Sequence, residues 1–194
     1  MDFLSALWIP ILVSGILVWI ASFLIWMVSP MHKGEWKKLS DEKGFMGALT
    51  EMGVQPGQYM FPCAEDGKQM KDPEFCEMAK RGPSGTLIVW PGMPNMGKNM
   101  ALTLIVYWII GVFVAYLCAH TLNGSEPYLA KFRVAGTAAV MAYVFASIPH
   151  DIWFGRSGKS IMTGIVDGVI YGLLTAGTFG WLWHANIAVT VPAS

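Results

Sequence analysis

The sequence predicts an all-α membrane protein, a four-transmembrane-helix bundle with a small mixed cytoplasmic insert between its first and second helices. Three observations carry that expectation. Of 194 residues, 54% are hydrophobic and 13% are charged, against about 25% charged in ordinary soluble domains. The charges are missing from long stretches of chain and crowded into a few others. Nine Trp, ten Phe and six Tyr accompany 21 Gly, joining interfacial aromatics to the small residues that close helix packing in lipid requires. Thirteen Lys plus Arg balance thirteen Asp plus Glu, so neither a basic nucleic-acid surface nor an acidic disordered chain is expected.

Residues 1–31 are the first transmembrane helix. No charge occurs from Phe3 to Met31, more than the ~20 apolar residues that cross ~30 Å of hydrocarbon. The segment starts at Asp2 and its apolar run is too long for a cleaved leader, so it is expected to remain in the mature chain. Residues 99–194 hold the other three spans. An uncharged run from Asn99 to Ser125 forms the second, Val134 to about Phe154 the third, and Ile161 to about His184 the fourth, interrupted only by Asp167. The link from Gly155 to Ser160 is too short to cross a bundle, so spans three and four are antiparallel neighbours.

Orientation follows from the basic residues. Lys33, Lys37, Lys38, Lys43, Lys68, Lys71, Lys80, Arg81 and Lys98 lie between spans one and two, and Arg156 and Lys159 between three and four; only Lys131 and Arg133 face the other side. The positive-inside rule then puts both termini outside and the 32–98 loop in the cytoplasm.

That loop, residues 32–98, carries enough local signal to be a folded insert. Ser40, Asp41 and Glu42 offer cap and first-turn chemistry for a helix through Phe45, Met46, Leu49 and Met52, with Gly53 as its stop. Asp72, Pro73 and Glu74 start a second short helix that ends at Arg81 and Gly82. Thr86 to Trp90 has the composition of a strand, with Gln58 to Phe61 as its neighbour. A two-stranded ribbon alone is marginal, and Trp36, Tyr59, Phe61 and Trp90 suit a position against the membrane interface.

Asp167 is the sharpest chemical feature, because an acid inside a membrane helix is costly and marks a functional site by default. It falls about eight residues past Lys159, or ~12 Å along the helix, in the cytoplasmic third of the span. His150 and Asp151 approach from span three, and Arg156 and Lys159 from the link, so these five residues are expected to form a polar cluster at the mouth of the hairpin. Its functional reading is a proton or cation relay, a His beside two carboxylates. Its structural reading is an ion pair between Asp167 and Arg156, Lys159 or His150 that pins the hairpin.

His120 and His184 lie near the outer ends of spans two and four. Two such residues at similar depth are what a bis-imidazole haem requires, and one alone a chlorophyll-type pigment. The interface would solvate both without any cofactor, and no Cys-x-x-Cys-His attachment site exists. No cofactor is therefore expected, with haem or pigment as the alternative. Cys63 and Cys76 lack a second ligand pair at zinc spacing, so no metal is expected either.

Gly164, Gly168, Gly172, Ala176 and Gly180 recur every fourth residue along span four, and Ala135, Ala138, Ala139, Ala142 and Ala146 answer on span three. Small side chains on facing stripes let helices approach closely and gain dispersion energy in lipid. Packing within the three–four hairpin is favoured over docking to another subunit, because the neighbouring span already presents small residues.

The runs HKGEWKKLSDEKGF from His32, PGQYMFP from Pro56, DIWFGR from Asp151 and LLTAGTFGWLW from Leu173 resemble a family of small four-span bacterial inner-membrane proteins whose activity is uncharacterised. The resemblance covers most of the chain. It implies a bacterial inner-membrane location and the four-span plan, and it brings no catalytic residues to transfer. The functional expectation is a non-catalytic accessory or scaffold subunit of a larger membrane complex, respiratory or photosynthetic, with the lipid bilayer and other membrane subunits as partners. The alternative is a small proton or cation transporter or channel using the Asp167 cluster.

Overall fold

The computed structural model describes residues 3–122 and 124–183. In chain order its main elements are α1 (Phe3–Met27), α2 (Glu42–Glu51), β1 (Gly57–Phe61), α3 (Pro73–Arg81), β2 (Gly85–Val89), α4 (Met96–Thr121), α5 (Tyr128–Val140), α6 (Ile148–Trp153) and α7 (Gly158–Leu182). A 3-10 turn, Pro30–His32, follows α1, and a π-helical turn, Met141–Phe145, lies between α5 and α6. Four helices are long and apolar enough to cross a membrane: α1, α4, the continuous stretch Tyr128–Trp153, and α7.

Each of the four follows from an uncharged or nearly uncharged run, with differences at the ends. The second span begins at Met96 and ends at Thr121, three residues before the expected Asn99 and short of Ser125. The third begins at Tyr128, a turn and a half before Val134, and so takes Lys131 and Arg133 into a helix. Lys131 is buried there because its ammonium donates to the Trp183 carbonyl at 2.7 Å and lies 5.5 Å from the Trp183 ring centroid. A lysine stem covers apolar surface while its head donates to a carbonyl at the end of α7. In α1, Pro10 removes a backbone donor, and Leu7 three residues earlier leaves helical geometry at φ −112°, ψ 16°.

The helices meet through small residues and indole bonds. A Cβ added at Gly168 would lie 2.7 Å from Val144 and 2.9 Å from the Tyr143 carbonyl oxygen, one at Gly172 would strike Val140, and one at Gly180 would lie 2.7 Å from the Tyr128 ring. Ala176 lies against Gly136, and Ala135 and Ala139 are fully buried. Most of the stripe therefore packs inside the three–four hairpin. Gly164 differs, with nothing within 4 Å of its position, and Ala146 is exposed while Ala142 is half-buried. On the other side, Trp19 and Trp108 donate indole N–H groups to the carbonyls of Met100 and Leu12, tying α1 to α4 at 3.0 and 3.2 Å.

Large apolar side chains such as Ile16, Phe113 and Trp181 are exposed on the outside of this bundle, the arrangement of a protein whose solvent is hydrocarbon. The apolar core, including Leu7, Ile11, Val114, Ala135, Phe179 and Trp183, gathers where α1 begins and α7 ends. Buried His32, Asp151, Ser160 and Asp167 lie towards the opposite end, whereas buried Lys131 sits at the α7 end.

Residues 36–95, with 153–155, cluster as a separate unit, whereas His32 to Glu35, expected within the insert, belong to the bundle. Asp41 caps α2 by accepting from the Gly44 N–H, and Gly53 ends that helix region at φ +67°. Asp72 caps α3 in the same way through Glu74, with Pro73 in the first turn and Gly82 after the last. The strands β1 and β2 pair antiparallel, Tyr59 opposite Leu87. No residue from 36 to 95 is buried.

Candidate functional site

At the end of the bundle where α1 stops, the chain turns back on itself. Ser29 accepts from the Met31 N–H and Pro30 fixes the first position of the 3-10 turn. His32, Lys33, Gly34 and Glu35 then form a β-turn closed by the Glu35 N–H on the His32 carbonyl at 3.2 Å. Lys33 has φ −61° and ψ 126° and Gly34 has φ +82°, the type II pattern, in which the third position takes a backbone conformation that favours glycine. The turn brings the side chains of its first and last residues together.

His32 Nδ1 donates to Glu35 Oε1 at 2.7 Å, and His32 Nε2 lies 3.0 Å from Asp167 Oδ2. The second contact becomes an ion pair only when the imidazole is protonated, and it lacks hydrogen-bond alignment. The three side chains expose between 2% and 7% of their surface. A single imidazole thus stands between two buried carboxylates, one from its own turn and one from α7. The Trp26 indole covers it, 3.9 Å away and within 12° of parallel.

Helix α7 anchors the turn at three points. The Lys159 ammonium donates to the Lys33 carbonyl at 2.7 Å, and the Thr163 hydroxyl donates to Glu35 Oε1. Asp167, one turn further on, faces His32. Burial works against ionisation of Glu35, but the hydrogen bonds from Thr163 and His32 outweigh it and hold the carboxyl below its ordinary value. Deeper along α7, Tyr171 joins Tyr107 of α4 and Tyr143 of the π turn in a cluster whose ring centroids lie 5.7 to 6.0 Å apart.

The five residues expected to share one polar cluster are divided. Asp167 meets His32, with Glu35 on the far side of the imidazole. Asp151, also buried, is held by Arg156, whose guanidinium reaches both carboxylate oxygens at 3.3 and 3.4 Å. His150 is exposed, 3.9 Å from Asp151, and Lys159 serves the Lys33 carbonyl. Neither Arg156, Lys159 nor His150 pairs with Asp167. The residue that does, His32, and the Glu35 it also holds carried a readable signal: a Gly at the third position of a four-residue turn, bounded by His and Glu, directly after an uncharged span.

His120 is exposed, its Nδ1 on the Tyr116 carbonyl at 2.8 Å. His184 lies outside the described residues. Among the described residues no three His, Cys, Asp or Glu side chains are placed to hold a metal ion, because His32 lies between its two carboxylates and the three do not converge on one point. No family model matches this chain, and no curated protein or solved structure matches it.

Proposed function

We propose that the chain is a small proton-translocating membrane protein, a channel or proton-coupled transporter, in which Glu35, His32 and Asp167 form the titrating centre. The observation that carries the reading is a buried imidazole with a carboxylate at each nitrogen. Imidazole accepts a proton at one nitrogen and releases one at the other, and it changes charge between about pH 5 and 8. Two carboxylates with one imidazole leave at least one negative charge even when His32 is protonated, which favours holding a further proton. Ionisable groups kept inside membrane helices most often mark ion or proton pathways. By the excess of Lys and Arg on one side, the 32–98 loop lies in the cytoplasm and the centre opens towards it. A bacterial inner-membrane location is what the sequence resemblance noted above implies.

The test is proton flux into proteoliposomes under an imposed potential. Wild-type protein is expected to conduct protons above the lipid background, and Asp167→Asn and His32→Gln to lose at least about 100-fold, the scale of removing a positioned acid or base. Flux unchanged in Asp167→Asn would refute the assignment.

A second reading, an accessory subunit of a larger respiratory or photosynthetic complex, has its own support. The unit formed by residues 36–95 buries none of its side chains, and Met93, Trp36 and Met52 are 98%, 86% and 68% exposed. Apolar surface on that scale suits a docked subunit. Co-purification of stoichiometric partners in mild detergent would favour this reading over independent transport.

A further inference from the structure

The polar line does not end at the triad. Asp167 Oδ1 and the Tyr171 hydroxyl are buried without an aligned hydrogen-bond partner, and so is His32 Nε2. The two α7 residues are only 5% and 6% exposed and stand four positions apart, one turn above the other on the same helix face. The Trp26 ring covers His32, 3.9 Å away, and so brings its indole N–H to the same side of the bundle. Three buried polar atoms without an aligned partner, on His32, Asp167 and Tyr171, thus fall in one stretch of the bundle beside the Trp26 indole. The carboxylate oxygen only accepts, the indole N–H only donates, and the hydroxyl and the imidazole nitrogen do either.

That mixture selects a ligand class. A metal cation needs convergent oxygen or bare imidazole ligands, and donor hydrogens repel it. Water donates twice and accepts twice, and a buried water takes two to four polar partners. We propose that Asp167, Tyr171, Trp26 and His32 bind one water molecule, which carries the proton between Asp167 and His32, and that Tyr171 is the residue that positions it.

The inference rests on the proton reading above. In the transfer, an O–H bond breaks on Asp167 as one forms on the water oxygen, and another water O–H bond breaks as an N–H bond forms at His32 Nε2, with no electron transferred. The hydroxyl of Tyr171 holds the water in line, and Tyr107 and Tyr143 pack around its ring. The site admits protons and excludes sodium.

Infrared difference spectroscopy on the full-length protein in nanodiscs, during a pH step in ordinary and oxygen-18 water, tests this directly. The expected result is an isotope-sensitive water band that is lost in Asp167→Asn and in Tyr171→Phe, which keeps the ring and removes only the hydroxyl. Proton flux of Tyr171→Phe in proteoliposomes is expected to fall roughly tenfold, about one hydrogen bond's worth, with radioactive sodium uptake at background in every variant. A band absent from the wild type, or present and unchanged in Tyr171→Phe, would overturn the water site even if proton flux runs normally. Sodium uptake that displaces the band would overturn the ligand class. A wild type that shows the band but carries no proton flux would leave the site standing and remove the translocation reading.

Discussion

The indole of Trp26 and the imidazole of His32 lie face to face, 3.9 Å apart and 12° from parallel. The stack fixes the ring plane, so that one nitrogen meets Glu35 and the other Asp167.

Removing the imidazole leaves two buried carboxylates facing each other. His32→Ala is therefore expected to destabilise the bundle by about 3–5 kcal/mol, the usual cost of breaking a buried pair from one side. Adding Glu35→Gln and Asp167→Asn to that variant neutralises the stranded charges and is expected to recover most of the loss. Thermal unfolding in detergent of the single and triple variants checks both; equal stability of His32→Ala and wild type would refute the pairing.

Acid should loosen the turn through Glu35. Its folded carboxyl titrates below the ordinary value of 4.5, so the unfolded chain binds the proton more readily. The stabilisation is complete above that ordinary value and is lost as pH falls through the lower folded one. Glu35 faces His32 from its own turn and Thr163 from α7, with Asp167 across the imidazole. Comparing melting temperatures of wild type and Glu35→Gln from pH 7 to about pH 3 isolates its share: the difference should shrink towards the acid end.

Much of this architecture was legible in the chain. Uncharged runs define the spans, and Asp41, Asp72, Pro73 and Gly82 mark the two short helices because caps act through neighbouring residues alone. The start of the third span was not legible, since Lys131 reads as an outer-loop charge until the Trp183 carbonyl, 52 positions away, is in place to receive it. The π turn at Met141–Phe145 has no local signature either. The partner of Asp167 was misplaced for the same reason: sequence proximity points to Arg156, Lys159 and His150, whereas packing of α1 on α7 delivers His32.

Two glycines of one stripe should respond oppositely to the same change. Gly168→Ala forces a methyl within 2.9 Å of the Tyr143 carbonyl oxygen and is expected to cost about 1–3 kcal/mol by overpacking. Gly164→Ala meets nothing within 4 Å and is expected to be neutral or to stabilise by up to about 1 kcal/mol through helix propensity. Melting temperatures of the two variants in one detergent decide it.

Lys131→Met keeps the buried stem and removes the ammonium that holds the Trp183 carbonyl. Losing a charge-assisted hydrogen bond costs about 1.5–3 kcal/mol, and the effect should be local. Hydrogen exchange is expected to quicken in the last turn of α7 and to stay unchanged around His32; uniform exchange rates across α7 in the variant would contradict this.

The Glu35 and Thr163 side chains that bond are 128 positions apart, and this spacing imposes an order on biogenesis. His32 and Glu35 leave the ribosome early and wait at the bilayer surface, whereas Asp167 arrives with the last span. Inserting an acid near the centre of a helix costs about 2.5–3.5 kcal/mol, and here the receiving imidazole is already at hand. Insertion of α7 is thus expected to be favoured by a partner that the turn after α1 has already delivered, and a chain lacking that turn is expected to keep Asp167 uncompensated.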